Sequence, residues 1–194
     1  MTIKGRIAIT GRPGVGKTTL IKRALELLPL SAGGMLTEEI RVCGHRVGFS
    51  LTDIATGRDG ILAHLHLTSG PKVGRYTVDV KSLEEIGIAA IHRAIEEEEL
   101  IVIDEIAPME LRSPAFVPAV EAALASGKPL IVSTHAHADV DVAHRVRREL
   151  TLLRVKLGNR DRLVEEILRI FGLERPSGPP TAEGRSPTPP RHGR

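Results

Sequence analysis

The chain of 194 residues has no tryptophan and no glutamine, and it has one tyrosine, three phenylalanines, one asparagine and one cysteine. Each scarcity excludes something. With aromatics at 2% there are few rings on which single-stranded nucleic acid bases could stack. Cys43 has no partner for an internal disulfide, which points to a reducing compartment, and a cytoplasmic location is expected. No apolar run is long enough to span a bilayer, and Ile7-Ala8-Ile9 behind Lys4 and Arg6 is too short for a signal-peptide core. Depletion of amides, which deamidate on heating, is a feature of proteins from hot environments, and a biased genome gives the same depletion.

Excess charge is also lacking where it would matter. The formal charge is +3, but beyond Leu173 four arginines stand against Glu174 and Glu183, which leaves +1 for everything before them. A body so nearly neutral has no stripe for tracking phosphates, so no nucleic-acid or membrane partner is expected, and a monomer is. Hydrophobic residues at 41% and charged residues at 26% suit a globular domain with a sizeable core. Residues 1–173 are expected to form that domain. Residues 174–194, rich in Pro, Gly, Ser, Thr and Arg, are expected to be a disordered tail.

What is present alternates between strand-like and helix-like segments. Arg6 to Thr10 reads as a strand, followed by a glycine-rich turn and a helix whose apolar positions run from Leu20 to Leu28 before Pro29. Gly33-Gly34 reads as a turn. Met35 to Val42 and Arg46 to Ile54 read as a hairpin, and Ile61 to Leu67 and Val73 to Val80 as further strands. A helix is expected from Ser82 to the acidic cluster Glu96 to Glu99. Leu100 to Ile103 and Pro129 to Thr134 are solid apolar runs, as in strands buried on both faces; Leu150 to Leu157 is a further strand. Helices are expected over Phe116 to Ala125 and Asp161 to Phe171. The alternation predicts an α/β fold with a mostly parallel sheet covered by helices on both faces and an inserted β-hairpin region.

The segment Gly11-Arg12-Pro13-Gly14-Val15-Gly16-Lys17-Thr18 fits the phosphate-binding pattern G-x-x-x-x-G-K-[ST], between a strand and a helix as that pattern requires. Glycines let backbone N–H groups curl around phosphates, and the helix start adds partial positive charge. Lys17 reaches the β- and γ-phosphates, Thr18 offers its hydroxyl to Mg²⁺, and Thr19 follows on the first helical turn. The alternative is a glycine-rich turn that binds nothing. The run Leu100-Ile101-Val102-Ile103-Asp104-Glu105 ends an apolar strand in two acids, with Ile106 and Ala107 after them. Asp104 is the expected Mg²⁺-side acid, although a strand-end aspartate can simply cap a turn. Glu105 is placed to orient or deprotonate a water; its bland reading is an exposed acid. Lys17 and Glu105 are therefore the catalytic candidates.

Beyond these motifs the chain resembles the small nucleoside-triphosphatase family described as thermophilic or cancer-related NTPases. The resemblance runs through Gly11 to Thr18, Gly33-Gly34, Thr37-Glu38-Glu39, Arg46 to Phe49, Val73 to Tyr76, Ile103 to Leu111 and Asn159-Arg160-Asp161. It implies a RecA-like P-loop core and slow hydrolysis of several nucleoside triphosphates with loose base preference. Ala107 departs from the family's usual glycine, which would stiffen or narrow that loop. A substrate-shaping role for Glu38 and Glu39 rests on the resemblance alone.

Other signals divide evenly or read as structural. Ser133, Thr134 and His135 end a strand where a γ-phosphate sensor could sit, or simply cap it. His135 and His137 lack a third metal ligand. Arg145, Arg147 and Arg148 read as a solvated helix face, with an arginine finger as the sharper alternative, and Arg12 as another candidate. Asn159 is either a base contact or a turn residue after Gly158. Hydrolysis is expected because Glu105 directly follows Asp104. A P-loop kinase would use the same cradle, and a nucleotide-switched binding module would use slow turnover as a reset.

Overall fold

Alternation along the apolar strands sets the architecture of the computed structural model, which describes residues 5–136 and 138–173. In strand β1 (Arg6–Gly11), Ile7 and Ile9 point to one core and Ala8 to another. The strand carrying the acidic pair, Leu100–Ile106, does the same: Leu100 and Val102 join the first core, Ile101 and Ile103 the second. Such strands are covered on both faces. The first face is covered by α1 (Lys17–Leu25) and the last helix (Arg160–Ile170), through Leu20, Ile21, Val164 and Ile167. The opposite face is covered by helices over Ala89–Glu97, Phe116–Ala125 and Asp141–Glu149, through Ile91, Phe116, Val120 and Val146.

In chain order the strands after β1 are β2 (Ala32–Val42), β3 (His45–Asp53), β4 (Asp59–His64), β5 (Lys72–Val73), β6 (Tyr76–Val78), β7 (Leu100–Ile106), β8 (Leu130–His135) and β9 (Thr151–Arg154). The helices after α1 are α2 (Val80–Ser82), α3 (Ala89–Glu97), α4 (Phe116–Ala125), α5 (Asp141–Glu149) and α6 (Arg160–Ile170). All nine strands form one sheet in the order β5-β6-β4-β3-β2-β7-β8-β1-β9. The run β2-β7-β8-β1-β9 is parallel, with β8 between the P-loop strand and the acidic strand. The hairpin expected between Met35 and Ile54 forms as β2 and β3, and β4, β6 and β5 continue the same sheet in antiparallel pairing. Long β2 joins the halves, pairing Ala32 to Met35 with β7 and Met35 to Val42 with β3.

The helix boundaries follow the sequence closely, and α4 has the predicted bounds. The helix expected from Ser82 begins at Val80, where the Asp79 carboxylate accepts the Ser82 N–H at 2.9 Å, and passes through a π-helical stretch, Leu83–Ile88, into α3. The strand expected over Val73 to Val80 is broken into β5 and β6 by a tight turn in which Gly74 has φ 58°. Gly33-Gly34 is not a turn but lies inside β2. A side chain on Gly34 would come within 2.0 Å of the Val102 carbonyl oxygen, and one on Gly33 would meet Glu98 and Ala94. These glycines let β2 press against β7 and α3. The expected tail, residues 174–194, lies outside the described residues.

Candidate nucleotide site

The parallel strands end together at one edge, and the groups singled out from the sequence meet there. Between β1 and α1 the loop Gly11 to Gly16 turns through Gly14 at φ 72° and Gly16 at φ 97°, with the Val15 N–H bonded to the Arg12 carbonyl at 3.2 Å. Gly16 caps α1 from the left-handed region without any side-chain bond, so the first-turn N–H groups are free to meet an anion. The lysine that opens α1 is buried. Its Nζ lies 2.9 Å from Glu105 Oε2 and donates to the Gly11 carbonyl at 3.5 Å.

Beside Lys17 the Thr18 hydroxyl donates to Asp104 Oδ2 at 2.6 Å, and the buried Ser133 hydroxyl of β8 donates to Asp104 Oδ1. Ser133 is thus a positioning group for Asp104 rather than a plain strand cap. The Asp104 carboxyl is fully buried, and that burial pushes its pKa up to about 6, with the Glu105 charge adding to the shift and the two hydroxyls opposing it. Across Asp104-Glu105 the register between β7 and β8 slips. Ile103 and Ile106 on either side are buried in the core. They support the acids from behind.

A cleft of about 700 Å³ opens over this edge. Pro13, Gly14, Gly16, Lys17, Thr18 and Thr19 line it on the P-loop side, and Glu105, Ala107, Glu110 and His135 on the acidic side. Gly11, Val15, Ile103, Asp104 and Ile106 are not part of the lining. Arg12 is exposed and outside the lining. Arg145 is bound to Glu121 and Glu149, Arg147 to the Ala138 carbonyl, and Arg148 faces Glu149, so all three are spent on or near α5. His137 lies outside the described residues, and among the described residues no cluster of three or more His, Cys, Asp or Glu is placed to hold a metal. Asn159 also stands apart from the lining: its Oδ1 accepts the Lys156 N–H at 2.8 Å and its Nδ2 donates to the Arg154 carbonyl at 2.9 Å. Both ends of the amide are engaged in its own turn.

Two groups were not among the site residues expected from the sequence. Arg160, first residue of α6, lays its guanidinium on the P-loop: a side chain on Gly16 would meet Nη1 at 2.9 Å and Cδ at 3.1 Å. Its charge carries no ion pair among the described residues, whereas neighbouring Asp161 is taken by Arg23. Glu110, on the turn Glu110–Arg112 after β7, is buried, and its Oε2 has no hydrogen-bond partner among the described residues. Burial first, then the Glu105 and Asp104 charges, hold its carboxyl well above the ordinary range. Arg160 was visible only as part of a family segment. Nothing in the local pattern marks Glu110 as buried, because it sits in an irregular turn.

A sequence model of the family described as NTPase matches residues 6–168. The nucleoside-triphosphatase THEP1 of Thermofilum pendens is 46% identical over 167 residues, covering 83% of this chain and 92% of its own. That of Thermotoga sp. strain RQ2 is 43% identical over 171 residues, covering 88% and 97%. The crystal structure of THEP1 from the hyperthermophile Aquifex aeolicus superposes with a TM-score of 0.78 at 34% identity, covering 86% of this chain and 98% of that one. The solution structure of a human cancer-related nucleoside triphosphatase gives 0.69 at 32% identity, covering 85% and 96%. Matched over almost all of its described residues, this chain belongs to the NTPase family.

Proposed function

We propose that the protein binds a magnesium–nucleoside triphosphate and hydrolyses its terminal phosphoanhydride to nucleoside diphosphate and phosphate, with little preference among bases. The observation that carries this reading is the convergence of Lys17, Thr18, Asp104 and Glu105 at the mouth of an uncapped helix. Thr18 and Asp104 supply hard oxygen donors side by side, and two such protein ligands suit Mg²⁺, which keeps waters and phosphate oxygens for its other positions. When bound there, Mg²⁺ neutralises charge on the phosphates. Desolvation makes the Asp104 carboxylate a poor resident anion by itself, which also fits a cation as partner.

The Lys17–Glu105 pair sets the order of events. An incoming triphosphate draws the Lys17 ammonium to its β- and γ-oxygens, which releases the Glu105 carboxylate. Freed, Glu105 orients a water on the far side of the γ-phosphorus and accepts its proton as the bridging bond breaks. Ser133 keeps Asp104 in place throughout. Loose base preference fits the Asn159 amide, which has no free edge to offer a base. The test is phosphate release from ATP, GTP, CTP and UTP in magnesium and after chelation. Turnover of all four within about one order of magnitude, a spread of about 1.4 kcal/mol, and its loss on chelation are expected. Release unaffected by chelation would overturn the metal assignment, and release from a single nucleotide would overturn the base tolerance.

A further inference from the structure

Sheet order gives a bound triphosphate its direction. Beside the P-loop strand β1 stand β8 and then β7 on one side, and β9 on the other. The Lys17–Glu105 contact marks the reacting end, on the β7 side of the P-loop. A triphosphate whose γ-phosphate lies there sends its nucleoside end away from β7, toward the turn between β9 and α6. That turn is held against the P-loop at both ends. At its start the Val155 N–H donates to the Thr10 carbonyl at 2.8 Å, and a side chain on Gly11 would come within 2.9 Å of the Val155 carbonyl oxygen. At its end Arg160 lies on Gly16. Between them the Asn159 amide binds the Lys156 N–H and the Arg154 carbonyl, which fixes what the turn presents.

What it presents is an apolar side chain among uncompensated cations. Leu157 is 94% exposed, more than any other large hydrophobic side chain among the described residues, and it joins neither core. Lys156 precedes it, Arg160 follows it, and Arg12 stands on the P-loop beside them. All three are exposed, and none has an ion pair among the described residues. Other surface arginines are compensated: Arg23 by Asp161, Arg41 and Arg46 by Glu39, Arg145 by Glu121 and Glu149. Uncompensated cations suit the phosphates of a nucleotide, and an apolar face suits its base. Every base has such a face, whereas its edge is what distinguishes it from the others. Leu157 carries no donor or acceptor with which to read an edge.

We infer that the turn 156–160 seats the nucleoside end of the bound triphosphate, with Leu157 against the face of the base and Lys156 and Arg160 toward the phosphates next to the ribose. This rests on the proposed binding of the triphosphate with its γ-phosphate beside Glu105. The seat gives loose base preference a physical cause. Contact is made with the face that all bases share, and the one amide nearby, Asn159, is used within the turn. Binding removes apolar area of Leu157 and of the base from water together, on a surface that stays open to solvent. The base therefore adds a small and uniform increment to an affinity set mainly by the phosphates.

The experiment replaces Leu157 in the full chain and compares nucleotides with inorganic triphosphate, which has the phosphates and no base. Because the side chain is exposed, Leu157→Ala should melt at the parent's temperature. By calorimetry in magnesium, its affinity for ATP, GTP, CTP and UTP should fall by a common factor of about three to ten, as for loss of one partly buried apolar contact. Its affinity for inorganic triphosphate should match the parent's. Leu157→Trp gives the chain its one tryptophan, at the seat itself. Its emission should change when ATP or GTP is added and stay constant with saturating inorganic triphosphate. Unchanged nucleotide affinity in Leu157→Ala would overturn the inference. So would equal losses for nucleotides and inorganic triphosphate, which would mark a structural role for the turn, or a tryptophan signal that answers both alike. Phosphate release from ATP by the parent reads the proposed hydrolysis separately. Its absence beside base-dependent binding would sink hydrolysis and support the seat, whereas no binding of any nucleotide by the parent would sink both.

Discussion

The two halves of the sheet use side chains in different ways. On the parallel half, the groups proposed to act arrive singly at strand ends: Lys17 after β1, Asp104 and Glu105 on β7, Ser133 on β8. Each is positioned by its own element, and they meet in pairs, Lys17 with Glu105 and Ser133 with Asp104. On the antiparallel half, one group of polar side chains is linked together. Glu39 binds both Arg41 and Arg46, and the Tyr76 hydroxyl meets both Arg46 and Arg75. Parallel strands gather chemistry at one edge because all their carboxyl ends lie there. Antiparallel strands present cross-strand neighbours along a face, so their polar side chains form a network. Substitutions on the first half should therefore act sharply and separately, whereas those on the second should act together.

The sharpest test of that contrast is Glu105→Gln. The variant keeps the size of the side chain and removes its ability to take a proton. Hydrolysis should fall by about 10²–10⁴, the range that general bases contribute, while nucleotide still binds. Single-turnover phosphate release beside calorimetric affinity makes the measurement. Asp104→Asn should instead weaken the magnesium dependence of binding together with turnover. If Glu105→Gln turned over like the parent, Glu110 would become the first carboxylate to examine.

How much of this was legible in the sequence follows the same division. The P-loop, the acidic strand and the alternating helices were readable because each rests on a short window: a glycine spacing, an apolar run, a helical period. The antiparallel half reads as a hairpin and two further strands, but their order in the sheet is not legible, because pairing of β4, β5 and β6 depends on partners distant in the chain and β5 has only two residues. Gly33-Gly34 looked like a turn because local chemistry cannot show a neighbouring backbone, here the Val102 carbonyl. Ser133 could be a cap or a sensor until its hydroxyl was seen on Asp104. Arg160 and Glu110 needed the fold itself: one reaches the P-loop from the far end of the chain, the other is buried in a turn.

Two buried aspartates sharpen the comparison through stability. Asp104 has its folded-state pKa raised, mainly by burial, from the ordinary value to about 6. For a carboxyl raised in this way the folded state holds its proton longer than the unfolded chain. The penalty is thus absent below about pH 4, grows as pH rises to about 6, and stays constant above. Asp104→Asn should therefore stabilise the nucleotide-free protein at pH 7 by about 1–3 kcal/mol, and the gain should vanish near pH 4. Asp53, on β3, is buried as well but bound to Arg93, the Thr56 hydroxyl and the Ala55 N–H. Asp53→Asn should destabilise, by about 1–3 kcal/mol. Denaturant melts of both variants across pH give the two signs; equal signs would break the comparison.

Arg160→Ala is the next smaller effect. The side chain is exposed, lies on Gly16 and has no acidic partner among the described residues, so its charge is offered to the nucleoside end of the phosphate chain. Affinity for nucleoside triphosphate and diphosphate should fall by the same factor, about tenfold for one exposed charge-assisted contact. A loss confined to the triphosphate would place Arg160 at the γ-phosphate instead. Unequal losses among bases would place it on the base.

The smallest expected effect belongs to Asn159. A free amide would read a base by donating and accepting at its edge, and Asn159→Ala would then alter relative rates among nucleotides. In the structure both functions are already used, Oδ1 by the Lys156 N–H and Nδ2 by the Arg154 carbonyl, and they close the turn that follows β9 through Gly158 at φ 83°. That turn also sets where α6 begins, and therefore where Arg160 reaches the P-loop. Removing the amide should cost about 1 kcal/mol of stability, as for loss of a partly exposed hydrogen-bonded cap. Rates with ATP, GTP, CTP and UTP should all fall by one small common factor, because what moves is the position of Arg160. A change in their ranking would show that the amide leaves its turn when nucleotide binds, and would restore the base contact.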